Sequence, residues 1–169
     1  MAVVAVLAAS FGLRVGREPN PCNIALAEEA MRICFKLRDE DGHKFKLIAQ
    51  WEIAEALRDL GYERYITEEV KQRPDGTYLG TKEIYDDALE IFQMLGCVKF
   101  VAVANPFMHL FVVRRMATQH FSVLKEKVRW IGFDRESDQW WCRSWWQLVA
   151  YSLMTLTGYH GFGGMQAKA

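Results

Sequence analysis

Four short stretches of the chain hold residue types that bind or transform small ligands. Ser10, Gly12 and Arg14, followed by Gly16 and Arg17, make a glycine-containing segment with two cations. Ahead of a helix N-terminus, such a segment can cradle a phosphate. It is neither G-x-G-x-x-G nor a P-loop, so both standard nucleotide fingerprints are absent. The alternative is an irregular loop with solvated arginines. Gln50, Trp51 and Glu52 follow one another, and the first two offer an amide and a ring. The ring either stacks on a flat ligand or packs into the core. Thr67, Glu68 and Glu69 carry two adjacent carboxylates, which point opposite ways in extended chain. Glu69 is the candidate to act as a base or hold a cation; the alternative is a surface pair. Asn105 and His109 precede Arg114 and Arg115. An imidazole at a helix N-terminus stays neutral, because the positive end of the dipole disfavours protonation. A neutral His is a usable base or hydrogen-bond donor, and the alternative for His109 is a structural role. Arg14 and Arg115 are placed to stabilise negative charge. No His/Cys cluster has zinc spacing, and H-E-x-x-H and G-x-S-x-G are missing, so no metal site is expected.

These residues need elements to position them. Residues 2–8 form a continuous apolar run, as expected for a strand buried on both faces. Asn23 is placed to cap a helix to about residue 38, with apolar residues at helical spacing. A strand at 45–49, a helix at 51–60 stopped by Gly61, and a weaker strand at 62–67 follow. Pro74, the Asp75-Gly76 pair and Gly80 mark a loop. Thr81 caps a helix to Leu95, with an incomplete capping box because position N3 is Ile84. Residues 98–104 are a second strand, apolar except for Lys99, broken by Asn105-Pro106. A helix at 108–118, a strand at 127–133 and a helix at 139–156 complete the chain. Alternating apolar strands and amphipathic helices predict an α/β domain with a mainly parallel sheet of about five strands. In such sheets ligands bind outside the carboxyl ends of the strands, where the candidate residues fall.

The 169 residues are enough for one domain with a sizeable core. With 51% hydrophobic residues and no net charge, the chain is not intrinsically disordered and lacks the basic surface of a general nucleic-acid binder. Charge is nevertheless polarised: residues 1–96 sum to −5 and residues 97–169 to +5. This either focuses an anionic ligand toward the later half or is a chance asymmetry. Cys22, Cys34, Cys97 and Cys142 form no C-x-x-C, which fits a reducing, cytoplasmic setting. The apolar N-terminal run lacks the basic residues of a signal peptide. Residues 144–167 contain no Asp, Glu, Lys or Arg, but polar residues and glycines interrupt them. Their apolar part is shorter than the ~20 residues that span a bilayer. Trp140, Trp141, Trp145 and Trp146 cannot share one narrow helical face at ~100° per residue. Some cover the core; others face the cleft, a second subunit or a membrane surface.

The strand and loop at 3–9 lead to Ala27-Glu28-Glu29-Ala30-Met31, and the strand at 47–49 leads to Leu57-Arg58-Asp59-Leu60-Gly61. Ile66-Thr67-Glu68-Glu69, the helix-opening Thr81, and Val101 to His109 with Arg114 and Arg115 complete the order. This order resembles the YdcF-like family, also described as SanA/ElyC-like, a domain of unknown function. Ala9-Ser10 and Gln50-Trp51 stand where the family often has Gly-Gly, and Asn23 where it has an Arg. The resemblance implies a single Rossmann-like three-layer domain over residues 1–169. The loop cations, the helix N-termini and the Glu69, Asn105 and His109 set point to a phosphate-containing or nucleotide-like ligand, such as S-adenosylmethionine, at the strand ends. Ser10, Arg14, Gln50, Trp51, Thr81, Asn105, Arg114 and Arg115 are then the expected contacts. His109 or Glu69 is the expected catalytic general base of a hydrolase or transferase. The alternative is a non-catalytic module that forms a homodimer or meets a partner through the tryptophan-rich helix. Membrane-surface contact by that helix is a third reading.

Overall fold

β1 (Val3–Ala8) has β2 (Lys44–Gln50) on one side and β4 (Lys99–Val103) on the other. Covered on both faces, it is apolar throughout. β3 (Ile66–Val70) lies outside β2, and β5 (Ser122–Val123) outside β4. The order is β3-β2-β1-β4-β5 and every pairing is parallel. The computed structural model describes residues 2–14, 19–73, 79–107 and 109–156. Gly16, Arg17, the 74–76 turn and His160 lie outside them.

α1 (Pro21–Asp39) packs on α2 (Trp51–Asp59), and α3 (Thr81–Met94) packs on α4 (His109–Ala117). Connections from β1 to β3 step one way across the sheet, and those from β3 to β5 step the other way. Right-handed crossovers therefore put the two helix pairs on opposite faces, giving a three-layer Rossmann-like α/β fold. Phe92, Phe100 and Phe121 join Tyr85 in an aromatic cluster under α3. All four cysteines are buried and free. No helix among the described residues is long and apolar enough to cross a membrane.

Several boundaries differ from the sequence expectation. Asn20, not Asn23, caps α1: its side chain accepts from the Asn23 N–H at 2.9 Å. Gly80 precedes α3, and Glu83 accepts the Gly80 N–H at 2.7 Å, so Thr81 is the first helical residue. β3 starts at Ile66 because a 3-10 turn holds Glu63–Tyr65. Thr67 is bulged between Ile66 and Glu68, and its hydroxyl accepts the Leu47 N–H at 3.2 Å.

The stretch 127–133 is not a strand. Once α4 ends, the chain pairs at once with β4, so the last strand is used up at Val123. Side-chain bonds then hold the following segment. Glu29, buried on α1, grips Arg32 with two bonds of 2.8 Å and accepts the Arg129 N–H at 2.9 Å. Arg32 also donates to the Lys127 carbonyl, and Lys36 binds Glu126. Burial pushes the Glu29 carboxyl up, but Arg32 and Arg129 outweigh it and hold the pKa below the usual value. The final helix is likewise interrupted. Trp140–Cys142 form a 3-10 turn, and α5 (Trp145–Leu156) starts after Ser144, whose hydroxyl accepts from the Gln147 N–H.

Candidate functional site

At the carboxyl end of the sheet, the chain leaves β1 toward one face and β4 toward the other. That divergence opens a crevice between two central strands. The register aligns Ala8 with Val103 and with Ala49, so Ser10, Gln50 and Asn105 emerge side by side. The Ser10 backbone N–H donates to Gln50 Oε1 at 2.9 Å. Asn105 Oδ1 accepts the Phe107 N–H at 3.0 Å, which turns the chain after β4. All three side chains are buried, yet Ser10 Oγ, Gln50 Nε2 and Asn105 Nδ2 have no hydrogen-bond partner.

Glu52 completes the group. It lies in the first turn of α2, two residues past β2, and is only 3% exposed. Neither carboxyl oxygen has a hydrogen-bond partner. Burial pushes this carboxyl up to about 7. Its own backbone N–H and the Ser10 hydroxyl pull the other way from nearby, without hydrogen bonds of good geometry, and Glu55 adds a smaller push upward. Buried polar groups in folded proteins are nearly always paired. Here four side chains with unpartnered polar atoms lie together past the ends of β1, β2 and β4, and they form the candidate site.

The loop after β1 is fixed from behind. Asn23 Oδ1 accepts the Phe11 N–H at 2.8 Å, and Asn23 Nδ2 donates to the Gly12 carbonyl at 3.1 Å. Gly12 has φ +85°, and a Cβ there would lie 2.9 Å from Ser137 Oγ and 3.2 Å from Cys142 Cβ. Only glycine fits this crossing. His109 opens α4, partly buried, with its ring edge-on to Phe11 at 6.0 Å. Burial lowers its pKa to about 4, so it is neutral at pH 7.

The structure thus gathers four of the expected residues, Ser10, Gln50, Asn105 and His109, about the ends of β1, β2 and β4. The others stand elsewhere or are engaged. Glu69 lies within the outer strand β3, not after it, and pairs with Arg58 of α2. Arg14 binds Asp134 through two bonds of 2.8 and 2.5 Å, with Glu136 at 3.3 Å. The Asp134 hydrogen bond holds the Arg14 pKa up. Arg114 donates to the Glu126 carbonyl, and burial lowers its pKa. Arg115 is exposed on α4 and Trp51 is partly buried at the start of α2. Thr81 starts α3, near a separate surface groove of about 420 Å³ lined by Lys71, Arg73, Glu83 and Asp86.

No protein-family model matches the chain, and no curated protein matches it.

Sequence reasoning passed over Glu52 as a site residue. Its helical phase gives the signal: Ile53, Ala56 and Leu57 line the buried face of α2, and Glu52 falls on that face. Among the described residues, no three His, Cys, Asp or Glu side chains converge to hold a metal ion.

The four tryptophans do not share one helix: Trp140 and Trp141 lie in the 3-10 turn, and Trp145 and Trp146 open α5. Trp141 stacks on Tyr151 at 4.6 Å, with Trp140 edge-on to both. Trp145 meets Phe107 at 4.6 Å. Trp146 is 79% exposed.

Proposed function

We propose that the chain binds a small nucleoside-like ligand at the carboxyl ends of β1, β2 and β4. Ser10, Gln50, Glu52 and Asn105 receive its polar groups. The observation that carries this reading is the set of unpaired polar atoms on these four buried side chains. An acidic side chain just past the second strand is where dinucleotide-binding α/β folds hold ribose hydroxyls. The YdcF-like resemblance supports the same location. The geometry favours the nucleoside part of such a ligand over its phosphate, because Asp134 and Glu136 engage Arg14 and the Glu126 carbonyl engages Arg114. Asn20 and Asn23 also occupy the start of α1, where a pyrophosphate would otherwise sit. Hydrolysis or group transfer on this ligand would use Glu52 or His109 for proton transfer rather than Glu69, which Arg58 holds.

A thermal-shift series with adenosine, S-adenosylmethionine, ribose 5-phosphate and pyrophosphate tests the reading. The expected result is a rise in Tm with the nucleoside-bearing compounds and none with pyrophosphate. The rise should vanish in Glu52→Ala and Asn105→Ala. A panel without any shift refutes the proposal.

The exposed Trp146 favours a second reading, a homodimer through α5. Light scattering should then give a dimer mass that Trp146→Ser reduces to the monomer. A monomeric wild-type protein at high concentration excludes it.

A further inference from the structure

We infer that an aromatic wall beside the polar cluster forms a ring-stacking subsite, which receives the flat heteroaromatic part of the ligand. This rests on the nucleoside-like reading above and assigns each half of the ligand to its own surface.

The wall begins at the cluster itself. Phe11 follows Ser10, is fully buried and lies 6.5 Å from Phe133. Phe107 lies two residues past Asn105 and is tied to it by its own N–H. From these two starting points the rings converge on Trp145. Its ring centroid is 4.6 Å from Phe107, 6.1 Å from Trp130 and 6.5 Å from Phe133. Trp130 and Phe133 are 5.2 Å apart. The series runs from the buried Phe11 to rings open to solvent: Phe107 is 40% exposed, Trp145 42% and Trp130 50%.

Three features fit a planar ligand better than core packing. Aromatic rings that only seal a core become buried, and Phe107, Trp130 and Trp145 do not. The contacts among them are edge-to-face, so none of these rings is sandwiched between parallel neighbours. Among the described residues, the cation–π pairs are Arg38 with Phe35 and Arg64 with Tyr65, so no cation covers this wall. A heteroaromatic ring with a hydroxylated substituent matches both surfaces together. The ring lies on Trp145, and the substituent reaches Glu52 and Asn105.

Calorimetric titration of the full chain with adenosine, guanosine, cytidine and ribose tests the inference. The expected result is that nucleosides bind and quench tryptophan fluorescence. Trp145→Ala should weaken nucleoside binding tenfold or more, and Trp145→Phe threefold at most, while ribose binding is unchanged in both. Phe107→Ala, which leaves α5 intact, should also weaken nucleosides but not ribose. It decides the matter if Trp145→Ala fails to fold. Nucleoside binding that survives Trp145→Ala and Phe107→Ala but is lost in Glu52→Ala overturns the wall and leaves the polar site standing. A wild-type protein that binds neither nucleoside nor ribose overturns both.

Discussion

At pH 8, Glu52→Gln raises stability by roughly 3 kcal/mol, whereas at pH 4 it leaves stability nearly unchanged. The native carboxyl titrates at about 7, against 4.5 for an ordinary Glu. Between those values the folded protein keeps a proton that the unfolded chain has released. Stability due to this group is therefore complete below 4.5 and is lost as pH rises through 7. A neutral Gln carries no such loss. For a domain of this size the gain at pH 8 corresponds to roughly 6–12 °C in Tm. Thermal melts of both proteins from pH 4 to pH 8 measure it. A difference independent of pH would mean that Glu52 keeps its ordinary pKa in the fold. The same substitution should weaken the ligand, so Glu52 exchanges stability for binding.

Asn23→Ala should cost about 4 kcal/mol. Its amide is the partner of two buried backbone groups, the Phe11 N–H and the Gly12 carbonyl. Removing it deletes both hydrogen bonds and strands both groups away from water, at about 1–3 kcal/mol for each unsatisfied group. Ligand binding should fall with stability, because Ser10 is held in place by the same loop. Urea denaturation gives the value. A loss below about 1 kcal/mol would show that Asn20 and Ser137, which also bond to this loop, suffice to hold it.

The central strands were legible because burial on both faces leaves apolar runs, as at β1 and, after Lys99, at β4. The outer strands left weaker traces. β3 presents Glu68 to solvent and a bulge at Thr67, while the tyrosines just before it mimic strand composition. β5 has only two residues, too few for any periodicity, and the alternation at 127–133 serves single side chains that pack without a ladder. Ser10, Gln50, Asn105 and His109 were legible because topology alone directs attention to residues that follow strands. Glu52 follows the same strand, but its role was not legible, since a carboxylate in the first turn of a helix is ordinarily a solvated partner of the helix dipole. The misplaced end of β3 made Glu69 a candidate that Arg58 in fact holds. The neutralisation of Arg14 was invisible, because Asp134 is 120 residues away in sequence.

The central position of β1 also sets the order in which the chain can assemble. Its two neighbours are both made after it, β2 from residue 44 and β4 from residue 99. Until β4 has left the ribosome, one edge of an all-apolar strand stays unpaired. Early contacts can form only on the β2 side, and the sheet closes through partners far apart in sequence, which slows folding. Chains released or stalled before residue 103 would carry that sticky edge permanently. Chaperone engagement during synthesis would protect this strand above all others.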